Sequence, residues 1–424
     1  MNICLANALI IDPSSGLHLR RANVFIEEGI IKSITDRPPT SGITTIESNN
    51  LCVSPGWMDM YADLGYPGGE HRETLRSGTR AAAAGGFTAL GINPATKPII
   101  DHHSLVAQLA SYNAEMPVEL FPIGAVNPKF NQSDLADMMD MHTHGAIAFS
   151  NGYNPISDSG VLYRAMLYNK PWNGLIIDMP DDQALSMGGQ INEGVVNVEL
   201  GLKGKPAIAE ELFVRRDAEI AAYSMGRIHL IQVSCANSLA IIEQSKQRNN
   251  LLTASVSPYH LIYTDEDCRT FDTNYKTQLP LRTASDRAAL WKGLVNGTID
   301  AITSCHQPQD IDSKNCEFDE AAPGMNLMEI VFPLLNTFSN GSNTIELHQW
   351  VEWLCMNPRK IVGLPIPKIE EGAMANITLF DPERQWEFNR NNMKSISRNC
   401  PIEKTIFKGK IIGTVLGNKV NIEA

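Results

Sequence analysis

The pattern of apolar and polar positions divides this chain into an alternating middle and two β-rich ends. In the middle, short apolar runs recur: "LCVSPGWMDMY", "FTALGIN", "VELFPIGAV", "GAIAFS", "GLIIDM", "RIHLIQVS", "LLTASVS" and "IDAITS". Each reads as a strand. Amphipathic stretches separate most of them, at 71–85, 102–114, 133–141, 159–169, 209–225, 236–246 and 283–296, and these read as helices. The clearest is "EELFVRRDAEIAAYSM", where Leu212, Ala218, Ile220 and Ala222 stand at helical spacing among charges. Eight strands alternating with helices predict an α/β fold, the (β/α)8 TIM barrel. A doubly wound open sheet is the structural alternative.

The ends follow another pattern. "NALIID" and "ANVFIEEGIIKSI" are short β runs, the second folding at Glu27-Glu28-Gly29. "GAMANITLFD" and "KTIFKGKIIGTVLGNKVNI" close the chain, with a hairpin turn expected at Gly417-Asn418. The expected organisation is a small β-sandwich built from residues 1–54 plus 366–424, enclosing a barrel at 55–365. Neither an internal repeat nor a low-complexity tract is present.

Composition narrows the function classes. The 424 residues are 43% hydrophobic and 19% charged, ordinary for a globular protein with a large core. A formal net charge of −12, with acidic residues dispersed, disfavours nucleic acid as a partner and suits a solvated surface. The eight cysteines are scattered without a Cys-x-x-Cys pair, which suggests free thiols in a reducing cytoplasm. The start "MNICLANALIIDP" lacks the basic and apolar regions of a signal peptide, and no apolar run is long enough to span a membrane. A cytoplasmic location is expected.

Barrel chemistry belongs at the C-terminal strand ends, and there the chain resembles a known family. The segments "PGGEHRETLRSGTRAAAAGGFTALGINPATKPIID" (67–101), "ELGLKGKPAIAEELFVRRDAEIAAYSMGRIHLIQVS" (199–234) and "FDTNYKTQLPLRTASDRAALWKGLVNGTIDAITSCHQP" (271–308) carry the likeness. They resemble the dihydroorotases of the amidohydrolase superfamily, in the form often found complexed with aspartate transcarbamoylase. The resemblance implies a place in pyrimidine biosynthesis and a zinc ion, often one of a pair, that generates hydroxide and polarises a ring amide. It also implies a strand-8 aspartate that moves the proton. Family ligands are a His-x-His after strand 1, a bridging carboxylate after strand 4, and histidines after strands 5 and 6. An arginine and two asparagines hold the substrate carboxylate.

Carried onto this sequence, nearly all of these groups are replaced. "GWMDMYADLGYPGGE" keeps Asp59, Pro67, Gly68 and Glu70, but the His-x-His positions are Tyr61 and Asp63 and the arginine position is Gly65. The strand-4 acidic pair falls on Asn151 and Gly152, the strand-5 histidine on Asp178, and the strand-6 histidine on Gln232. The strand-8 phrase reads Cys305-His306-Gln307-Pro308-Gln309, so a thiol stands where the family has its proton-transfer aspartate. The two asparagine positions are Ala95 and Gln278. Scaffold residues persist around them: Pro94, Thr96, Asp101, Pro258, His260, Leu281, Arg282 and Gly324.

Five strand ends changed together, along with the substrate clamp, imply a lost metal site. Neutral amides are poor zinc ligands beside imidazole or carboxylate. A site rebuilt from Asp63, Asp178 and Cys305 is the competing reading, since aspartate and cysteine both ligate zinc. Cys305 as a nucleophile would need a base, and His306 beside it on a strand end points to the opposite face. His142 and His144 in "MHTHG" read as a solvated turn, His102-His103 as surface, and His229 as structural. "PGGEH" lacks the lysine and hydroxyl residue of a phosphate loop. The expected protein is therefore a dihydroorotase-like chain without cofactor, acting as a structural or regulatory subunit for aspartate transcarbamoylase and itself a homo-oligomer. The alternatives are an active cyclic amidohydrolase with zinc in a rebuilt site, and a sensor of a small molecule in the emptied pocket.

Overall fold

The computed structural model describes residues 2–39, 42–248, 251–339 and 345–423. The eight apolar runs contain eight strands, β1 (Trp57–Ala62), β2 (Phe87–Ile92), β3 (Glu119–Ala125), β4 (Ala148–Ser150), β5 (Leu175–Asp178), β6 (Arg227–Leu230), β7 (Leu252–Val256) and β8 (Ala301–Ile302). Their order across the sheet is their order along the chain, and every neighbouring pair is parallel. Beyond the ladder of β8 the chain returns to β1. The Asp63 N–H donates to the His306 carbonyl at 3.0 Å. The Ser304 hydroxyl and N–H both donate to the Asp59 carboxylate, the latter at 3.3 Å. The sheet is a barrel, as the alternation predicts, and not an open sheet.

Side chains alternate across each strand, and this sorts the apolar residues into two layers. Ile176 joins the helices in one cluster, whereas its neighbours Leu175 and Ile177 join Met58, Ala89, Ile123 and Ala301 in another that fills the barrel.

Both ends of the chain build one further sheet of eight strands. The N-terminal part supplies Asn2–Ile10, Arg21–Glu27, Ile30–Thr35, Thr44–Ile46 and Cys52–Pro55, and the C-terminal part Asn376–Glu387, Ile406–Leu416 and Lys419–Ile422. They meet where Cys52–Pro55 pairs antiparallel with Asn376–Glu387, Ile377 opposite Pro55. Ile3, Leu5, Val24, Val53, Ile377 and Val415 belong to a core of their own. The two hairpin turns fall where the sequence places them, at Glu28–Gly29 and Gly417–Asn418.

The run "LCVSPGWMDMY" is divided between the two sheets, with Gly56 at the junction. A Cβ there would lie 1.9 Å from the Asn376 side chain and 2.2 Å from Thr88. Trp57 follows, packing its ring against Phe87, Phe332 and Phe380 and donating its indole N–H to Ser54 at 2.9 Å.

Some elements differ from the sequence reading. The helix read at 133–141 spans Met138–Thr143, behind its Asp137 cap. Helices at Pro258–Ile262, Val331–Phe338 and Leu347–Val351 were not anticipated. In the helix Ala207–Ser224 the apolar face is rotated from the one expected. Phe213, Val214, Ala218 and Ala221 are buried, whereas Leu212 is exposed and Ile220 and Ala222 are half-buried. The reason is that two acidic residues of this helix, Glu210 and Asp217, point inward. Glu210 accepts the N–H groups of Ser234 and Cys235 at 2.9 and 3.0 Å, and Asp217 accepts from Arg216 at 2.6 Å. The segment 389–405, read with the terminal sheet, reaches the barrel: Asn399 donates to the Gln307 carbonyl at 2.9 Å.

Closure of the barrel has a pH signature. Burial raises the Asp59 carboxyl from 3.8 to about 6, against hydrogen bonds from Ser304 and Tyr61. An acid held above its unfolded value binds its proton more tightly when folded, so its stabilising contribution is full below pH 3.8 and is lost as pH rises through about 6. Asp59→Asn keeps an acceptor for Ser304 and Tyr61, and it is expected to lose less stability than wild type between these pH values in denaturant titrations. Asp59→Ala leaves the Ser304 donors unpaired and is expected to cost about 1–3 kcal/mol at either pH. Equal pH slopes for wild type and the Asn variant would count against this account.

Candidate functional site

The strand ends bring the sequence-identified residues to one mouth, where the charges of Asp178, Cys305 and Asp63 all act on Tyr61. Tyr61, next to the last residue of β1, is almost fully buried. Its hydroxyl pairs with Ser150 Oγ of β4 at 3.0 Å, and the Tyr153 ring meets it edge-on with centroids 6.4 Å apart. Burial pushes the Tyr61 phenol up, so it stays protonated. Asp63 is ion-paired: Oδ2 faces Arg72 Nη1 at 3.1 Å, and Oδ1 accepts the Gly65 N–H at 2.8 Å. The same Arg72 nitrogen donates to the Pro308 carbonyl at 3.1 Å, tying this loop to the strand-8 loop.

Asn151 and Asn127 hold each other across the ends of β4 and β3. The Asn127 N–H donates to Asn151 Oδ1 at 3.1 Å, and Asn151 Nδ2 donates to Asn127 Oδ1 at 2.7 Å. Gly152 donates its N–H to Ser150 at 3.2 Å. Asp178 accepts the N–H groups of Ile156 and Met179 at 3.2 and 3.0 Å, and Arg216 Nη2 lies 3.8 Å away. Burial, then the neighbouring Asp217, push its carboxyl well above the usual range, against Arg216. That guanidinium also lies over the Phe213 ring, 3.7 Å from its centroid.

Gln232 and Cys305 close the circle in left-handed backbone, with φ of +60° and +50°. The Gln232 Oε1 is buried without a hydrogen-bond partner. Cys305 Sγ lies 3.3 Å from Thr303 Oγ1. Burial pushes its thiol up to about 12, with hydrogen bonds from Thr303, Gln232 and Tyr259 acting the other way.

The positions of the family's substrate clamp lie beside this mouth. Gly65 has φ +64°, and a Cβ on it would stand 2.6 Å from the Glu73 carbonyl and 2.7 Å from that of Gly69. The loop therefore has no room for an arginine here. Ala95 donates its N–H to Asn93 at 2.8 Å, and the Gln278 carbonyl accepts from Lys205 Nζ at 3.1 Å. A cavity of about 200 Å³ remains, lined by Asp63, Gly65, His71, Arg72, Ala95 and Lys97 among others.

Glu73, Arg72 and Arg216 at this end were not picked out by sequence reasoning, and His306 was read only as facing away from Cys305. His306 is fully buried with its Nε2 3.5 Å from Glu73 Oε2. Burial pushes the Glu73 carboxyl up, yet His306 and the hydroxyls of Ser395 and Ser77 hold it below the ordinary glutamate value. Glu73 stands only three residues beyond Glu70, so its neighbourhood was in view, but Ser395 comes from more than 300 positions away. Arg72 and Arg216 had no signal apart from charge. His229 is buried between Thr253 and Ser255, both at 2.9 Å, and His102 and His103 lie at the surface or partly exposed, as read. His142 and His144 are exposed, but they form the end of the helix Met138–Thr143 and its cap, where a turn was expected.

Parallel strands in chain order, with candidate groups at their C-terminal ends, define a (β/α)8 barrel of the amidohydrolase kind. The Dihydro-orotase-like family matches residues 51–238, and the Amidohydrolase family matches residues 190–412. A dihydroorotase of Pelotomaculum thermopropionicum is 35% identical over 420 residues, covering 99% of this chain and 98% of the relative. One from Geobacter metallireducens is also 35% identical, over 424 residues and 99% of both chains. The chain belongs to the dihydroorotase family. Among solved structures, the L-hydantoinase (dihydropyrimidinase) from Arthrobacter aurescens superimposes with a TM-score of 0.85 at 18% identity, over 100% of this chain and 97% of that one. At that identity the likeness shows the fold alone.

The side chains at the mouth do not fit the zinc centre that the family implies. Asp63 and Asp178 face guanidinium groups, the Tyr61 and Cys305 protons are held by burial, and the amides of Asn151 are engaged with Asn127. At the strand-6 ligand position Gln232 Oε1 is without a hydrogen-bond partner, but it is a neutral amide oxygen. Among the described residues, no three His, Cys, Asp or Glu side chains are grouped so as to hold a metal ion. No described helix is long and apolar enough to cross a membrane.

The cysteines give a direct check of this packing. All eight are free, and only Cys316 is more than slightly accessible. A small thiol reagent at pH 8 is expected to modify about one thiol per native chain, Cys316, and all eight after unfolding. Rapid labelling of Cys305 in the native protein, read by peptide mass spectrometry, would contradict a thiol held near 12.

Proposed function

We propose that this chain is a non-catalytic dihydroorotase-family subunit of pyrimidine biosynthesis, with no metal centre, that supports aspartate transcarbamoylase as a structural or regulatory partner. One observation carries the loss of catalysis: side chains at the five strand ends that hold the family's ligands are mostly committed to other groups of this same chain. The hydroxyl of Tyr61 is held by Ser150, Asp63 by Arg72, Asn151 by Asn127, and Asp178 by two backbone N–H groups with Arg216 near. Hydrolysis of a cyclic amide needs an activated water and a group that passes a proton to the leaving nitrogen. Here the proton-transfer position is a thiol held near 12, which gives up no proton at neutral pH. The rebuilt centre of Asp63, Asp178 and Cys305 would have to displace Arg72 from Asp63, take the proton from an Asp178 carboxyl raised by burial, and ionise that thiol.

The transcarbamoylase partnership rests on the branch of the family that the sequence resembles, an argument by analogy. What remains for a partner to use is the outer surface of the barrel and the terminal sheet.

Two measurements test this function. Elemental analysis of the purified protein is expected to find no stoichiometric zinc, and assays in both directions to find no turnover of dihydroorotate or carbamoyl aspartate. About one zinc per chain, removed by chelator together with an activity, would establish the rebuilt site instead. Mixed with aspartate transcarbamoylase of the same organism, the chain is expected to co-elute in gel filtration and to raise the partner's melting temperature, as specific interfaces of more than about 1,000 Å² do. Separate elution with no change in transcarbamoylase activity or melting would reject the partnership and favour a pocket that senses a small molecule.

A further inference from the structure

The terminal sheet and the barrel leave a groove of about 630 Å³ between them, and it shares no lining residue with the cavity at the mouth. Ile330, Pro333, Phe388, Met393 and Ile411 give it apolar walls. The Trp386 ring, half-buried, lines it as well. That ring is held by its indole N–H on the Gly409 carbonyl at 2.8 Å and by Phe388 and Phe407, with centroids 6.1 and 5.8 Å away. Sites for small organic molecules are concave, mostly apolar, about 300–1,000 Å³ in volume, and carry a few placed polar groups.

The polar group placed here is Glu329, in the turn before the helix Val331–Phe338. Both of its carboxylate oxygens accept the Lys394 N–H at 2.9 Å, and Oε1 also accepts the Ser395 N–H at 3.0 Å. Among the described residues no cation pairs with it. Lys394, whose backbone it holds, sends its own ammonium to Glu423 at 3.1 Å. A carboxylate without a counter-charge is costly to bury. Burial holds the Glu329 carboxyl up at about 7, against these N–H groups and the charge of His306, and Glu423 adds to the rise. His306 acts from the strand-8 loop, and Glu73 is joined to the same place through the Ser395 hydroxyl, which it accepts. Lys410 and Glu387 complete the charged lining, which holds three carboxylates against two ammonium groups.

We infer that this groove binds a small organic cation, an ammonium or amidinium carried on a flat apolar body. The head supplies the counter-charge that Glu329 lacks, and the body lies against Trp386, whose face attracts positive charge. Lys410 Nζ, 5.8 Å from the ring centroid, already makes use of that attraction. The site stands apart from the proposed function, because it uses none of the side chains at the five strand ends.

Calorimetric titration of the full-length protein with benzamidine tests it, with benzamide as the neutral control and benzoate as the anionic one. Benzamidine is expected to saturate at one per chain with a Kd below about 1 mM, and each control to bind at least about tenfold more weakly. The Glu329 carboxylate forms as pH rises through about 7, so benzamidine is expected to bind about tenfold more tightly at pH 8 than at pH 6. Glu329→Gln keeps an acceptor for the Lys394 and Ser395 N–H groups. It is expected to weaken binding at least about tenfold and to abolish the pH dependence. Trp386→Leu, with Glu329 intact, is expected to weaken binding while keeping the pH dependence. Should Glu329→Gln fail to fold, the wild-type pH profile and Trp386→Leu decide. Absence of saturation, controls that bind as tightly as benzamidine, a flat pH profile, or affinity unchanged in either variant would each overturn the inference.

Discussion

A carboxylate taken out of water must find a counter-charge or keep its proton, and the C-terminal end of this barrel is organised by that requirement. Asp59, Asp63, Glu73, Asp178, Glu210 and Asp217 are all nearly or fully buried. Each is met in its own way. Arg72 lies on Asp63, Arg216 between Asp178 and Asp217, His306 beside Glu73, and Arg282 3.8 Å from Glu210. Asp59 has hydroxyl and amide donors in place of a cation and, like Asp178 and Asp217, moves toward the protonated form. Positive charge at the mouth is thus supplied by side chains, and two guanidinium groups stand against carboxylates at or beside positions where the family has metal ligands.

The same requirement explains which parts of the fold were legible in the sequence. The strands were, because parallel strands covered on both faces appear as bare apolar runs, and "GLIIDM" or "LLTASVS" could be little else. The altered positions were also legible, because intact phrases flank them. Thr96 still bonds the Pro98 carbonyl at 2.7 Å, and Arg282 still reaches Asn192 and the Lys205 carbonyl at 2.9 and 2.8 Å. The face of the helix Ala207–Ser224 was misread, because Glu210 and Asp217 count as polar in a periodicity and yet point inward. The partners of the mouth residues were hidden for a different reason. Ser150 lies 89 positions from Tyr61, and Pro308 lies 236 from Arg72, distances over which local patterns carry no information.

Backbone shape constrains the mouth as firmly as charge does. Gly65 turns in left-handed conformation against the Glu73 and Gly69 carbonyls, so the loop has closed over the space where a clamp side chain would begin. Tyr61, Tyr153 and Tyr259 bring large rings to the same end, and the charges of Asp63, Tyr61, Cys305 and Tyr259 all act on Tyr153. The loops around Gly65–Arg72 and Ala95–Lys97 border a cavity of about 200 Å³.

The terminal sheet has a consequence for how the molecule comes into being. The strand Cys52–Pro55 pairs along one edge with Asn2–Ile10, translated just before it, but its other edge finds a partner only in Asn376–Glu387, and the Trp57 N–H reaches the Thr378 hydroxyl across 321 positions of chain. While the ribosome is still making the barrel, that strand offers an open edge with no native partner. Closing so long a loop costs entropy before any contact repays it, and contacts of this range slow folding. Nascent chains of this protein are therefore dependent on residues 376–422, and until these emerge the early strands are the surface on which a chaperone would act.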